Sequence, residues 1–151
     1  QGIVADYVIM MGYDEHFAGG EAGSVSSINY VKNGIAGMLE NVPREKLIGG
    51  VPFYTRLWTE AGDGTITSKA MGIAEEKRWV DNNQVELTWQ ADTAQYYGEV
   101  QTSDGAQFLW MEEERSLKEK MNVIRQNDLA GVACWKLGFE DSAAWDSIQW
   151  N

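Results

Sequence analysis

The chain is short of cysteine, proline, histidine and cations: it has one Cys, two Pro and one His, and 12 Lys and Arg stand against 23 Asp and Glu across 151 residues. Each scarcity excludes something. The lone Cys134 cannot close an intrachain disulfide, and flanked by Val132, Ala133 and Trp135 it reads as a small buried hydrophobe. With His16 the sole histidine, a His-based metal cluster is excluded, and no metal or organic cofactor is implied. A formal net charge of −11 without any basic stretch argues against nucleic acid and anionic membrane surfaces as partners. No apolar run reaches the ~20 residues of a membrane span. The opening Gln1-Gly2-Ile3-Val4-Ala5-Asp6 has neither an initiator Met nor a charged leader, so the chain is expected to begin mid-protein.

What is plentiful points to a packed domain with a neutral ligand. A hydrophobic content of 44% in a chain of this length supports one core. Seven Trp, six Tyr and four Phe make the chain rich in aromatics, whose default use is core packing but whose faces also stack well on the C–H faces of sugars.

Ile3 to Met11 is an almost continuous apolar run, the pattern of a strand buried on both faces of a parallel sheet, and Gly12 releases it into a loop. Val31, Ile35, Met38, Leu39 and Val42 then recur at helical spacing until Pro43 stops them. Leu47 to Phe53 predicts a second strand. Leu117, Met121 and Ile124 mark a helix entered from Ser116 as N-cap, and Gly131 to Trp135 a third buried strand. Ser142 opens a short last helix. Between the second and third strands the pattern changes: Ser68 to Trp79 reads as a helix, and Val85 to Trp89, Ala94 to Val100 and Ala106 to Met111 as strands, with Ser103-Asp104-Gly105 a hairpin turn. The expected class is α/β, divided into a βαβ segment (1–57), a small α+β insertion (58–111) and a closing helix-strand-helix segment (112–151).

All three proposed parallel strands end in polar or aromatic groups: Met11-Gly12-Tyr13-Asp14-Glu15-His16, then Pro52-Phe53-Tyr54-Thr55-Arg56, then Trp135-Lys136-Leu137-Gly138-Phe139-Glu140-Asp141. In (β/α)8 barrels functional groups gather at such ends. Met-x-Tyr-Asp, Gly-x-Pro-x-Tyr-x-Arg and Gly-Val-x-x-Trp-x-Leu-Gly-x-Glu-Asp, in this order over nearly the whole chain, resemble family 18 glycoside hydrolases. The phrases MGYDEH, GVPFYTRLW and LAGVACWKLGFED are similar to the bacterial spore-cortex and cell-wall glycosylase branch.

The resemblance implies that the chain is the C-terminal portion of a (β/α)8 TIM barrel, strands six to eight, with the insertion before the last strand. It implies a glycosidase acting on β-1,4-linked N-acetylglucosamine polymers, peptidoglycan or chitin, by substrate-assisted retaining catalysis. It also implies a secreted, cell-wall or spore-associated setting. Tyr13 would orient the substrate N-acetyl group, Met11 and Asp14 would shape the same subsite, Trp135 would form its floor, and Tyr54 and Arg56 would line the adjacent cleft. Without a sugar, Trp135 and Met11 would be core residues and Arg56 would pair with Glu15, Glu60 or another barrel-top carboxylate. Glu140 and Asp141 are expected to cap the last helix, His16 to bind sugar or sit in solvent, and Glu112-Glu113-Glu114 to form a solvated helix face.

The family's general acid comes from D-x-x-D-x-D-x-E, and no Asp here is followed two positions later by Asp or Glu. The chain alone is therefore expected to be inactive, its acid lying before Gln1. Its open sheet edge is expected to meet either the missing N-terminal barrel half or a second copy. A non-catalytic, lectin-like or assembly role is the alternative.

Overall fold

A computed structural model of the chain describes residues 4–150. Three strands, β1 (Val8–Met11), β2 (Leu47–Pro52) and β8 (Gly131–Trp135), form a parallel sheet in the order β1-β2-β8. Five more, β3 (Tyr54–Glu60), β4 (Ile66–Gly72), β5 (Leu87–Gln90), β6 (Gln95–Thr102) and β7 (Gly105–Trp110), form an antiparallel sheet in the order β4-β3-β7-β6-β5. Helices α1 (Ile28–Leu39), α2 (Ile73–Asn83), α3 (Glu114–Gln126) and α4 (Ser142–Ser147) complete the fold.

Parallel neighbours need crossovers, and here a helix precedes each return: α1 leads into β2, and α3 leads into β8. Met10, Val51, Ile35, Leu117, Met121 and Ile124 pack into one core between the parallel sheet and the helices. A second core, with Leu57, Met71, Val80, Val85 and Leu109, lies between α2 and one face of the antiparallel sheet. Only Phe53 separates β2 from β3. Its ring is buried and its N–H donates to the Trp135 carbonyl at 2.7 Å, so the chain passes directly from one sheet into the other.

Several sequence expectations are corrected. The first strand begins at Val8, and Ile3 lies outside the described residues. Ser68 to Trp79 is not one helix: Ile66–Gly72 is a strand paired along its length with β3, and α2 starts only at Ile73. Cross-strand pairing overrides the local helical pattern there. Ser116 is not the N-cap of α3. Glu113 is, accepting from the Arg115 and Ser116 N–H groups, while the Ser116 hydroxyl accepts from the Glu113 N–H in a reciprocal box. The turn at Ser103-Asp104 closes the β6–β7 hairpin as expected, with Gly105 at φ +126°.

The acidic run is the largest departure. Glu112 is fully buried rather than solvated, and Lys120, equally buried, donates to both its oxygens at 3.0 and 3.1 Å. Gln95 of β6 donates to the same carboxylate at 3.1 Å and accepts from Ser24 in the loop after β1. This line of buried polar groups stitches that loop, the antiparallel sheet and α3 together, and each member satisfies the next.

Candidate active site

The parallel order sets the three polar strand ends side by side. Gly12 donates its N–H to the Gly50 carbonyl at 3.1 Å, and a Cβ on Gly50 would stand 2.6 Å from the Met10 oxygen and 3.3 Å from the Tyr13 ring. Glycine at position 50 therefore lets Tyr13 lie against the end of β2. Tyr13 stacks on Trp135, with centroids 6.4 Å apart and planes at 24°, and meets Tyr54 edge-on at 6.4 Å. Tyr54 in turn lies 6.1 Å from Phe139. Trp135 is 53% exposed despite ending a sheet strand, so it is a surface platform rather than a core plug.

Polar groups fix this cluster. Tyr54 donates its hydroxyl in a short hydrogen bond to Asp14, which sits in the left-handed region at φ +60°. Burial, followed by that bond to Asp14, pushes the Tyr54 phenol well above its ordinary range. Burial and then the Asp14 charge also raise Tyr13, so both phenols stay protonated donors near neutrality. The Tyr13 hydroxyl has no hydrogen-bond partner among the described residues and is free to donate outward.

Arg56 does not pair with Glu15 or Glu60. Its Nη1 donates to the Ser68 hydroxyl at 2.9 Å, and its Nε–H, shut away from solvent, has no acceptor. Glu15 instead accepts from the N–H and hydroxyl of Ser27, the N-cap of α1. His16 bonds the Ser24 carbonyl at 2.8 Å and folds its loop rather than standing in solvent. Asp141 caps α4 through the Ala144 N–H, as expected, and also receives Lys77 of α2. Glu140 accepts from the Gly138 N–H. Met11 is 67% exposed on the face of the sheet turned away from α1. Cys134 is half-buried, and burial, then the Glu140 charge, pushes its thiol up to about 11.

Sequence reasoning passed over Phe139 and Lys136. Lys136 sits with its ammonium 4.7 Å from the Phe139 ring centroid. The Ile73 N–H of α2 donates to the Phe139 carbonyl at 2.7 Å, and Gly72 abuts the Phe139 backbone so closely that a Cβ would lie 2.8 Å from its oxygen. The loop after β8 is thus held from the antiparallel sheet, a contact no local motif announces. A cleft of about 400 Å³ lies nearby between the loop after β1 and the β5–β6 turn, lined by His16, Asn29, Gln90, Asp92 and Trp110. Among the described residues no group of three or more His, Cys, Asp or Glu is placed to hold a metal ion, and no helix is long and apolar enough to cross a membrane.

Aromatic side chains following the ends of β1 and β2 and at the end of β8 thus converge on one place, with Tyr13 between Tyr54 and Trp135. Residues 2–140 match the model of the glycosyl hydrolases family 18, and the chain belongs to that family. It is 29% identical over 149 residues to the uncharacterized glycosylase YvbX of Bacillus subtilis, covering 98% of this chain and 43% of that protein. It is 27% identical to the cortical fragment-lytic enzyme of the same organism, covering 95% of this chain and 34% of that protein. The spore cortex-lytic enzyme SleL of Bacillus megaterium superposes with a TM-score of 0.86 at 25% identity, over 97% of this chain and 34% of that one. A chitinase from Chromobacterium violaceum shares the fold with a TM-score of 0.89 at 24% identity, over 97% and 45%. The chain spans less than half the length of these relatives.

Proposed function

We propose that residues 1–151 supply substrate-binding walls of a family 18 glycosidase that hydrolyses β-1,4-linked N-acetylglucosamine polymers. Peptidoglycan is the preferred substrate class over chitin, by similarity to the cortical fragment-lytic enzyme. The observation that carries the reading is the convergence of Tyr13, Tyr54 and Trp135 from three strand ends. Trp135 offers an apolar floor for one sugar. Tyr13 offers a neutral hydroxyl without a protein partner, suited to hold the N-acetyl oxygen while that group attacks the anomeric carbon. Asp14, fixed by Tyr54, shapes the same subsite, and Met11 and Arg56 border it.

In this reading β1, β2 and β8 are barrel strands six, seven and eight. Residues 58–111 are the insertion, 1–57 and 112–151 the flanking barrel segments, and the proton donor comes from outside residues 1–151. The exposed Ile9 supports a partner on that face of the sheet beyond the subsite, either the remaining barrel units or a second copy. A spore or cell-wall setting follows from the same relatives. A lectin-like role is favoured only if the complete protein lacks an acid.

The test is hydrolysis of chromogenic N-acetylglucosamine oligomers and purified peptidoglycan by the complete protein and its Tyr13→Phe variant. A fall in kcat of about a hundredfold or more, within the range of a lost transition-state donor, is the expected result. Unchanged turnover in the variant overturns the role of Tyr13, and sugar binding without cleavage by the unmodified protein moves the reading to a lectin.

A further inference from the structure

The cleft between the loop after β1 and the β5–β6 turn has walls that are tied together rather than merely adjacent. The Ile28 N–H at the start of α1 donates to the Thr93 carbonyl at 2.9 Å, and Asn29 donates its side-chain amide to the Asp92 carbonyl at 3.1 Å. The Trp58 indole N–H of β3 donates to the Gly23 carbonyl at 2.9 Å. His16 is held by the Ser24 carbonyl, and a Cβ on Gly23 would stand 2.6 Å from its ring. The recess is therefore preformed, and its volume of about 400 Å³ falls within the range of small-ligand pockets.

Its chemistry suits a neutral, hydroxyl-rich ligand. Trp110 ends β7 on the face turned away from α2, since its neighbour Leu109 packs into the core under that helix. Tyr97, with centroids 5.0 Å apart, and Phe108, at 6.0 Å, hold the half-buried indole from two sides. The indole N–H donates to the Gln90 side-chain oxygen at 2.8 Å, which fixes the ring and leaves the Gln90 amide N–H groups to donate elsewhere. Asn29 keeps its side-chain oxygen and one N–H, and the exposed Asp92 adds a carboxylate acceptor. Glu15 and Asp92 line the cleft and no Lys or Arg does, which disfavours an anion. One fixed aromatic face with donors and acceptors at its edge matches a sugar ring, apolar on its C–H face and polar around its rim.

We propose that this cleft is a second saccharide-binding site, separate from the subsite of Tyr13 and Trp135, with Trp110 as its stacking platform and Gln90, Asn29 and Asp92 as its polar rim. Glu15 and His16 line it directly after Asp14 in the chain, so one loop serves both places. A long glycan held at two points of one unit gains affinity that a short one cannot. The inference rests on the glycan-binding reading above for the identity of the polymer, and it places there a stretch of N-acetylglucosamine polymer remote from the cleaved bond.

The test uses the complete protein with two readouts, retention on insoluble chitin and peptidoglycan, and hydrolysis of a chromogenic N-acetylglucosamine dimer. Trp110→Ala is expected to weaken retention about tenfold while dimer hydrolysis stays within about twofold, and Trp110→Phe to keep part of the retention. Trp135→Ala is expected to do the reverse, losing dimer hydrolysis and keeping most of the retention. Asp92→Ala alters only an exposed side chain, so its loss of retention, about threefold, decides the matter even if Trp110→Ala unfolds. Unchanged retention in Asp92→Ala and in a folded Trp110→Ala overturns the proposal. So does a fall of dimer hydrolysis in step with retention in either folded variant, which would assign these residues to the strand-end site. An unmodified protein that neither cleaves the dimer nor is retained overturns the glycan-binding reading itself.

Discussion

In the antiparallel sheet Leu57, Met71 and Leu109 are closed over by Trp79 and Val80 of α2, whereas in the parallel sheet Ile9 and Met11 turn away from the helices and lie 54% and 67% exposed. One region completes its own core within a contiguous stretch of chain. The other buries one face and leaves the second bare. The strand ends that carry Tyr13 and Trp135 belong to the half-finished sheet, so the candidate site is built where the fold is least self-sufficient. The region that is self-sufficient lends it support through Tyr54, Arg56 and the contacts of α2 with the loop after β8.

The join between the regions is where the comparison is easiest to break. Lys120→Met leaves the fully buried Glu112 without its counter-ion, and a loss of about 3–5 kcal/mol in urea unfolding is expected. Joint replacement of Glu112 and Lys120 by Leu and Met costs less than the single change, because no buried charge remains. Within the regions, Leu109→Ala is expected to cost about 2–5 kcal/mol, and Met11→Ser to stay within ~0.5 kcal/mol in the same assay. Equal losses would mean that the bare face of the parallel sheet is covered in solution.

A smaller effect is a slope in pH. Glu76 of α2 is fully buried with one oxygen unpartnered, and burial holds its carboxyl well above the usual range, opposed by a hydrogen bond from the Glu112 N–H. The folded state therefore keeps a proton that the unfolded chain releases, and stability falls as pH rises above the ordinary carboxylate range. Partial burial raises Glu114 and Asp141, but the hydrogen bonds from Lys77 outweigh it and hold both below normal, so their contribution is lost as pH falls into the acid range. Unfolding measured from pH 2 to 9 is expected to flatten on the alkaline side in Glu76→Gln and on the acid side in Lys77→Met. A single hydrogen bond is at stake in Tyr54→Phe, which loses its contact to Asp14 and is expected to cost about 1 kcal/mol, seen as a modest shift in the urea midpoint.

Much of this was readable before any coordinates. The apolar runs at Val8–Met11, Leu47–Pro52 and Gly131–Trp135 mark the three parallel strands, although only Leu47–Pro52 has the burial expected of them, Val8–Met11 and Gly131–Trp135 being largely half-buried or exposed, and α1 follows a clean helical period closed by Pro43. The residues of the candidate site were legible as strand ends because a polar or aromatic group directly after such a run has few other uses. The β4–α2 stretch differs from the expectation because Lys69, Ala70 and Met71 are good helix formers like the residues after Gly72, and only pairing with β3 makes its first part extended. Burial of Glu112 was hidden because its partners Lys120, Gln95 and Ser24 are scattered over the chain. Phe139 and Lys136 were passed over for the same reason: their meaning lies in Tyr54 and Ile73, far away in sequence.

The single residue between β2 and β3 limits how this fold is rearranged by recombination. With Phe53 alone as connector, no slack exists in which to splice a foreign module after the parallel strand. A chimera that exchanges the antiparallel sheet at that point would replace Tyr54 and Arg56 along with it, changing the wall of the candidate site and the scaffold in one step. A crossover placed after Arg56, where β3 runs on toward Glu60, keeps Tyr54 with its original neighbours Asp14 and Phe139, and would let the outer sheet diverge provided that a hydroxyl is kept at Ser68 for Arg56.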